Sequence, residues 1–167
     1  MIRIDIPATS ANLGSGFDSL GIALTMCNRV WMEEADELKI TTTDKIKVTN
    51  LIYWAARHLY QICGKTLPGL HIIQENNIPM ARGLGSSSAC IVAGILGANR
   101  MLGSPMSQSD LINLAAQIEG HPDNTSPAIS GGLVASAMEG KRVYSVSVPV
   151  SGKISFAVMI PPFELKT

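Results

Sequence analysis

The chain has 167 residues, 46% of them hydrophobic, which is enough to bury the core of one domain of ordinary size. Its 13 Lys+Arg balance its 13 Asp+Glu, and this zero net charge argues against a nucleic-acid binder or a polybasic membrane-surface protein. The longest apolar run, residues 89–98, is much shorter than the about 20 residues of a spanning helix, so we expect no transmembrane segment.

The pattern of apolar residues predicts groups of consecutive strands separated by helices. Alternation of Ile2, Ile4 and Ile6 with charged residues predicts a half-buried strand, and the small, polar stretch Pro7–Gly16 predicts an ordered loop. Further strands are expected at 20–33, 38–43, 70–74, 133–137, 143–148 and 154–160, and helices at 50–64, from about 83 to 102, and from 109 onward. Strands, then helices, then strands again, without strict alternation, favour an α+β fold.

The three cysteines, Cys27, Cys63 and Cys90, are odd in number and widely spaced. They form no CxxC pair and no metal-ligand set, so we expect reduced, buried thiols in a cytoplasmic protein. Residues 1–7 carry charges within an apolar alternation and lack a small-residue cleavage site, which is typical of a strand rather than a signal peptide.

The stretch Asn77–Ala89 combines glycines with three consecutive serines at a predicted helix start. Glycines let the backbone approach a ligand closely, and free N–H groups at a helix start favour an anion such as phosphate. A tight turn with serine N-caps is the simpler alternative. The stretch is not a P-loop, because no Lys follows Gly85, and it lacks the third Gly and nearby acid of a dinucleotide fingerprint. It predicts either a phosphate loop of another type or a capped turn.

A second stretch, Pro7–Gly21, places Asn12 and Asp18 on a glycine-punctuated loop directly after a strand. Asn12 can donate and accept hydrogen bonds, and Asp18 can hold an ammonium group or orient a hydroxyl. Taken alone, these residues are explained more simply by an Asx-turn at Asn12 and local capping by Asp18.

A third stretch, Ala115–Pro127, concentrates ligand-type residues at the end of a predicted helix. Glu119 stands in the last turn, where a carboxylate opposes the helix dipole, so a cation would favour it there. Asp123 and Asn124 are also good caps for the short helix that follows, and His121 alone is an ordinary loop histidine.

Together the three stretches resemble the motifs of the GHMP kinases, the family of galactokinase, homoserine kinase, mevalonate kinase and phosphomevalonate kinase. Pro7–Gly21 is similar to the family motif PATxANLGxGFDxxG, Pro79–Ala89 to PxxxGLGSSxA, and Glu119–Gly132 to EGHPDNxxPAxxGG. The sequences of these motifs are closest to those of the homoserine kinases. Because all three motifs occur in the same order, the resemblance is specific. Ser15 departs from the Pro that is usual there, without removing a functional group.

The resemblance implies an α+β fold in which a mixed or antiparallel sheet packs against helices, and it implies roles for single residues. Ser87 and Glu119 match magnesium ligands, and Asp123 and Asn124 match the catalytic region. The positions that hold the amino-acid substrate are Asn12, Asp18, His121 and Asp123. The segment that wraps the ATP phosphates is Pro79, Met80, Ala81, Arg82, Gly83, Leu84, Gly85, Ser86, Ser87, Ser88 and Ala89.

The resemblance also implies that residues 1–167 are the N-terminal, ATP- and substrate-binding domain of a longer two-domain enzyme. The ending Pro161–Thr167 resembles a domain boundary, and the C-terminal domain is absent from this chain. The substrate carboxylate then lacks a cation here, since Arg82 lies in the phosphate loop and no other Arg is near a motif. We therefore expect the 167 residues alone to be inactive or weakly active.

The leading hypothesis is magnesium-dependent phosphorylation of the side-chain hydroxyl of L-homoserine by ATP, giving O-phospho-L-homoserine for threonine biosynthesis. Another small-molecule GHMP kinase is the alternative within the family, and the substrate that turns over separates the two. A non-catalytic nucleotide or metabolite sensor is the alternative outside it, and accumulation of ADP decides against that. We expect no nucleic-acid or membrane partner, and leave open a homodimer formed through an exposed sheet face.

Overall fold

The computed structural model describes residues 1–42, 50–160 and 163, and within them it has six strands and four helices. The strands are β1 (Ile2–Ala11), β2 (Leu20–Ala35), β3 (Lys39–Thr42), β4 (Gly69–Glu75), β5 (Leu133–Glu139) and β6 (Arg142–Val148). The helices are α1 (Leu51–Ile62), α2 (Ser86–Met101), α3 (Gln108–Glu119) and α4 (Thr125–Ser130).

The long strand β2 organises the sheet, because it pairs with three other strands. Strand β1 runs antiparallel along one edge of it, from the pair Ile2–Met32 to the pair Ala11–Gly21. On the opposite edge, β4 pairs antiparallel with residues 29–35 and β5 with residues 20–22. Strand β3 adds to β4 in parallel and β6 adds to β5 antiparallel, so the sheet is mixed and the α+β prediction is confirmed.

Helices α1 and α2 supply most of the helical part of the core. Asn50 starts α1 by accepting the Tyr53 N–H at 3.0 Å, as expected of an N-cap residue. Helix α2 is made largely of Ala, Gly, Ile, Val and Leu, most of it is buried, and it packs against α1, β1 and β2. Its two ends reach the surface, the first turn at the exposed Ser87 and the last turn at the exposed Arg100. The sequence pattern therefore buries the helix and leaves its N-terminus open.

The prediction of a loop from Pro7 onward is wrong for its first half. Strand β1 continues through Pro7 to Ala11, and the loop spans residues 12–19. The register against β2 shifts between Pro7 and Thr9, which is a β-bulge. A bulge breaks the alternation of side chains, and Ala8 and Thr9 are accordingly both buried. The small, polar residues 7–11 led to the prediction of a loop, but they form a strand because they pair with β2.

The prediction of a strand at 154–160 is also wrong, because these residues belong to no strand and are exposed. An alternating pattern marks side-chain faces, whereas a strand also needs a neighbour for its backbone groups, and this segment pairs with none of the described strands. Thr43 and most of the predicted boundary 161–167 lie outside the described residues. No helix in the described ranges has the length and apolar character needed to cross a bilayer.

Candidate active site

A cleft of about 300 Å³ lies where the end of β1, the start of α2 and the turn after α3 meet. It brings all three sequence motifs to one place. Its lining residues are Ala11, Asn12, Ala81, Arg82, Gly83, Leu84, Gly85, Ser86, Ser87, Ser88, Glu119, His121 and Asn124. Of the predicted site residues, Pro79, Met80, Ala89, Asp18 and Asp123 are not in this lining.

The start of α2 presents backbone N–H groups to the cleft. Gly85 is the N-cap residue, in the left-handed region with φ +66°, and no side chain caps the helix. The serine-capped turn that the sequence allowed is therefore wrong, because no side chain among the described residues caps this helix start. The first turn also holds no acidic residue. This end of the dipole suits an anion.

Glu119 ends α3 directly across from this helix start, with Gly120 as the left-handed C-cap at φ +98°. The Ser88 hydroxyl donates to Glu119 Oε1 at 2.7 Å, and the Ser87 hydroxyl lies 3.5 Å from Oε2. Ser88 is buried and Ser87 is exposed to the cleft. The predicted pair Ser87 and Glu119 is thus brought together, with Ser88 as a closer partner that the sequence assigned only to the phosphate loop.

The carboxylate and hydroxyl of this pair are hard oxygen donors, which fit Mg²⁺. Among the described residues, no group of three or more His, Cys, Asp or Glu side chains is placed to hold a metal. Mg²⁺ commonly binds one or two protein oxygens and completes its shell with waters and substrate phosphates. The donor set here suits an ion of that kind, delivered with a nucleotide.

The turn after α3 forms a hydrogen-bonded chain that leads from the core to the cleft. The Asp123 side chain is 0% exposed, and its Oδ1 pairs with His121 Nδ1, while the His121 side chain is 42% exposed. Asn124 Nδ2 lies 3.4 Å from the same Oδ1, and Asn124 Oδ1 accepts the Thr9 hydroxyl at 2.8 Å. Asp123 Oδ2 is buried and has no hydrogen-bond partner in the part of the chain that the structure describes.

This chain of contacts settles the capping alternative. Asn124 is the N-cap residue of α4 but makes no side-chain cap hydrogen bond. Its side chain instead accepts the hydrogen bond from Thr9 and lines the cleft. His121 and Asn124 reach the cleft directly, whereas Asp123 lies behind them and acts on the cleft through His121.

The loop after β1 is held by its own side chains. Asn12 and Asp18 are both in the left-handed region, with φ of 58° and 52°. Asn12 Oδ1 accepts the Asp18 backbone N–H at 2.8 Å, so the local structural role considered for Asn12 is present. Asn12 nevertheless lines the cleft, while the Asp18 side chain is exposed outside the lining.

Arg82 lines the cleft close to the start of α2. Its guanidinium donates to the Ala81 carbonyl at 3.1 Å and lies 3.5 Å from the Met80 carbonyl. It pairs with no carboxylate within residues 1–42 and 50–160. Its charge is therefore not neutralised by these residues and faces the cleft that it lines.

Cys90 lies one turn into α2, close to the site. Burial, with a smaller contribution from the charge of Glu119, raises the pKa of the Cys90 thiol. The three cysteines are free, as expected, but each is partly exposed rather than fully buried.

Comparison with known proteins agrees with the motifs. A model of the GHMP kinases N terminal domain matches residues 50–132, which hold the phosphate loop and the turn after α3. A homoserine kinase of Clostridium botulinum (strain 657 / Type Ba4) is 45% identical over 100% of this chain and 57% of its own length. The chain belongs to the GHMP kinases.

Solved structures share the fold of this GHMP kinase domain. The homoserine kinase from Cytophaga hutchinsonii ATCC 33406 is 30% identical, with a TM-score of 0.78 over 90% of this chain and 52% of that one. A mevalonate kinase structure has a TM-score of 0.70 over 88% of this chain and 56% of that one, but only 14% identity, so it shows the fold alone. The chain spans about 57% of the length of the curated relative named above.

Sequence reasoning assigned no role to Thr9, which contacts both the phosphate loop and Asn124 in this GHMP kinase domain. Its place in the first motif was visible. Its burial was not, because only the bulge turns its side chain toward the site.

Proposed function

We propose that this domain, as the N-terminal part of a two-domain enzyme, transfers the γ-phosphoryl group of ATP to the side-chain hydroxyl of L-homoserine. The observation that supports this most is the single cleft, which joins the amide-rich start of α2 to the side chains of Asn12, His121 and Asn124. The 45% identity to a curated homoserine kinase along the whole chain supports the choice of substrate. The product is O-phospho-L-homoserine, an intermediate of threonine biosynthesis.

The start of α2 binds the ATP phosphates in this proposal. Backbone N–H groups of residues 83–88 donate to phosphate oxygens, and the α2 dipole and Arg82 add positive potential. Ser87 and Glu119 hold Mg²⁺, which neutralises charge on the phosphates when it is bound. Phosphoryl transfer needs positioning and charge neutralisation more than covalent help from the protein, and these groups provide both.

The loop after β1 and the turn after α3 bind the amino-acid substrate. Asn12, which lines the cleft, and Asp18, whose exposed side chain lies outside the lining, hold the ammonium group, and His121, oriented by the buried Asp123, contacts the rest of the substrate. Asn124 presents its amide to the acceptor hydroxyl. It carries no charge and is a poor base, so its role is to position the hydroxyl.

The α-carboxylate of homoserine needs a cation, and residues 1–42 and 50–160 place no Lys or Arg other than Arg82 in the cleft beside Asn12 and His121. Arg82 is the sole cation among the described lining residues, and it belongs to the phosphate loop. We therefore assign the carboxylate site to the rest of a two-domain enzyme, in agreement with the 57% coverage of the Clostridium botulinum relative. The enzyme would act in the cytoplasm, where thiols such as Cys27, Cys63 and Cys90 stay reduced.

The decisive experiment measures homoserine-dependent ADP release by the full-length enzyme with saturating magnesium and ATP. We expect release with homoserine and none with mevalonate or galactose. Release with another acceptor alone would assign a different GHMP kinase activity. ATP binding without release on any acceptor would support the sensor alternative.

The same assay on residues 1–167 alone tests the domain proposal. We expect little or no turnover, and full activity would refute the need for a second domain. Sedimentation of the full-length enzyme tests the possible homodimer.

A further inference from the structure

Thr9 occupies an unusual position, because a β-bulge turns it into the site. The register of β1 against β2 shifts between Pro7 and Thr9, and the strand buries Ala8 and Thr9 in succession. A regular strand would alternate these two side chains between opposite faces. Bulges are common next to active sites, where they re-aim a side chain.

Thr9 contacts both halves of the cleft at once. Its backbone N–H donates to the Leu84 carbonyl of the phosphate loop at 3.1 Å. Its hydroxyl donates to Asn124 Oδ1 at 2.8 Å. Gly85 approaches so closely that a Cβ atom there would lie 2.1 Å from Thr9 Oγ1. With 1% of its surface exposed, Thr9 is a fixed internal link between the phosphate loop and the turn after α3.

Two contacts set which end of the Asn124 amide faces the acceptor. The Thr9 hydroxyl donates to Asn124 Oδ1 at 2.8 Å, and Asn124 Nδ2 lies 3.4 Å from the Asp123 carboxylate, which can only accept. The carbonyl and NH₂ ends of an asparagine side chain have nearly the same shape, so hydrogen-bond partners determine its orientation. Thr9 holds the carbonyl end, and Asp123 Oδ1 takes one hydrogen of the NH₂ group, so the second hydrogen can donate to an oxygen in the cleft. Without the Thr9 hydroxyl, only the long 3.4 Å contact to Asp123 holds the amide, and its carbonyl end can turn toward the cleft and repel a phosphoryl oxygen.

We propose that Thr9 is a positioning residue, which fixes the amide of Asn124 so that its NH₂ group faces the acceptor hydroxyl and the phosphoryl group. This inference rests on the proposed function for its kinetic readout. Thr9 does not line the cleft, so it acts through Asn124 and should affect kcat more than KM.

The test compares Thr9→Val, which keeps the shape but removes the hydroxyl, with Thr9→Ser, which keeps the hydroxyl, in the full-length enzyme. We expect Thr9→Val to lower kcat about 10- to 100-fold, because small errors of position are costly in transfer reactions, while KM for ATP and homoserine changes less than about threefold. Thr9→Ser should restore most of kcat. Thr41→Val, the same change on an exposed strand position, is the matched control and should be silent. Normal kcat in folded Thr9→Val would overturn the proposal.

A double-mutant cycle with Asn124→Ala separates positioning from general damage. If Thr9 acts through Asn124, adding Thr9→Val to Asn124→Ala should cost no further kcat. A full additional loss would overturn the proposal.

A spectroscopic readout keeps the test independent of turnover. The side-chain amide resonances of Asn124 should shift in Thr9→Val and stay in place in Thr9→Ser, and unchanged resonances in both would overturn the positioning role. If the wild-type enzyme released no ADP with homoserine, the proposed function would fail, while these resonances would still decide the role of Thr9.

Discussion

The close approach of Gly85 to Thr9 gives a prediction whose magnitude follows from the structure. A Cβ atom at Gly85 would lie 2.1 Å from Thr9 Oγ1 and 3.1 Å from Asn124 Oδ1, and the buried Thr9 has no room to retreat. Gly85→Ala therefore adds overpacking, about 1–3 kcal/mol, to the cost of an L-residue in the left-handed region, about 1–2 kcal/mol. The expected loss of unfolding free energy is about 2–5 kcal/mol, with displacement of the phosphate loop.

Gly64→Ala is the matched control for this change. Gly64 has φ +68°, close to the +66° of Gly85, but nothing lies within 4 Å of a Cβ atom there. It should lose only the backbone contribution of about 1–2 kcal/mol. Urea unfolding of the full-length enzyme measures both losses, and calorimetric titration with magnesium and ATP measures binding, which Gly85→Ala alone should weaken. Equal stability and equal nucleotide affinity in the two variants would refute the packing argument.

Three further substitutions test the site and the surface. Glu119→Gln should lower turnover on the order of 100-fold, as expected when several kcal/mol of metal-based stabilisation are lost, and a magnesium titration of kcat shows it. Asp123→Asn keeps the shape of the buried side chain but removes the anion that orients His121, so kcat should fall without loss of fold, as thermal unfolding checks. The hydrogen bond from His71, and then the N-terminal ammonium, lower the pKa of Glu33 below its ordinary 4.5. Glu33 therefore stabilises the folded state above pH 4.5, and the stability gap between wild type and Glu33→Gln should close as the pH falls through that lowered pKa.

The local signals in the sequence predicted most of the fold. Apolar periodicity located α1 and α2, and the helix predicted over residues 50–64 is observed at Leu51–Ile62, with Asn50 as its N-cap. Predictions from composition were wrong where the pairing of distant strands determines the secondary structure. Residues 7–11 look like a loop but form strand because β2 lies beside them, and residues 154–160 look like a strand but pair with none of the described strands.

The candidate site shows the same limit. Motifs identified the residues that gather at the cleft, including Ser87 with Glu119 and Asn12 with Asn124. The motifs did not reveal how deeply each side chain is buried. The motif predicts that Asp123 holds the substrate, yet its carboxylate is fully buried, because the turn that exposes its neighbours directs it into the core. The burial of these side chains depends on how the turn packs on the sheet, and the order of residues in a motif does not encode that packing.

The position of Glu119 links the local physics of the chain to its proposed chemistry. A carboxylate in the last turn of a helix faces the negative end of the dipole, at a cost of about 0.3–1 kcal/mol. The hydrogen bond from Ser88 is large enough to offset this cost in full, since bonds to a charged group contribute about 1.5–3 kcal/mol. That bond alone needs only one carboxylate oxygen, Oε1, whereas Oε2 lies at a loose 3.5 Å from the exposed Ser87 hydroxyl. A cation delivered with ATP phosphates at the start of α2 would bind this second oxygen and oppose the unfavourable dipole at the same time. The loosely held Oε2, and not a net cost of placing Glu119 there, is therefore what supports a proposed site in which nucleotide and metal bind at the end of α3.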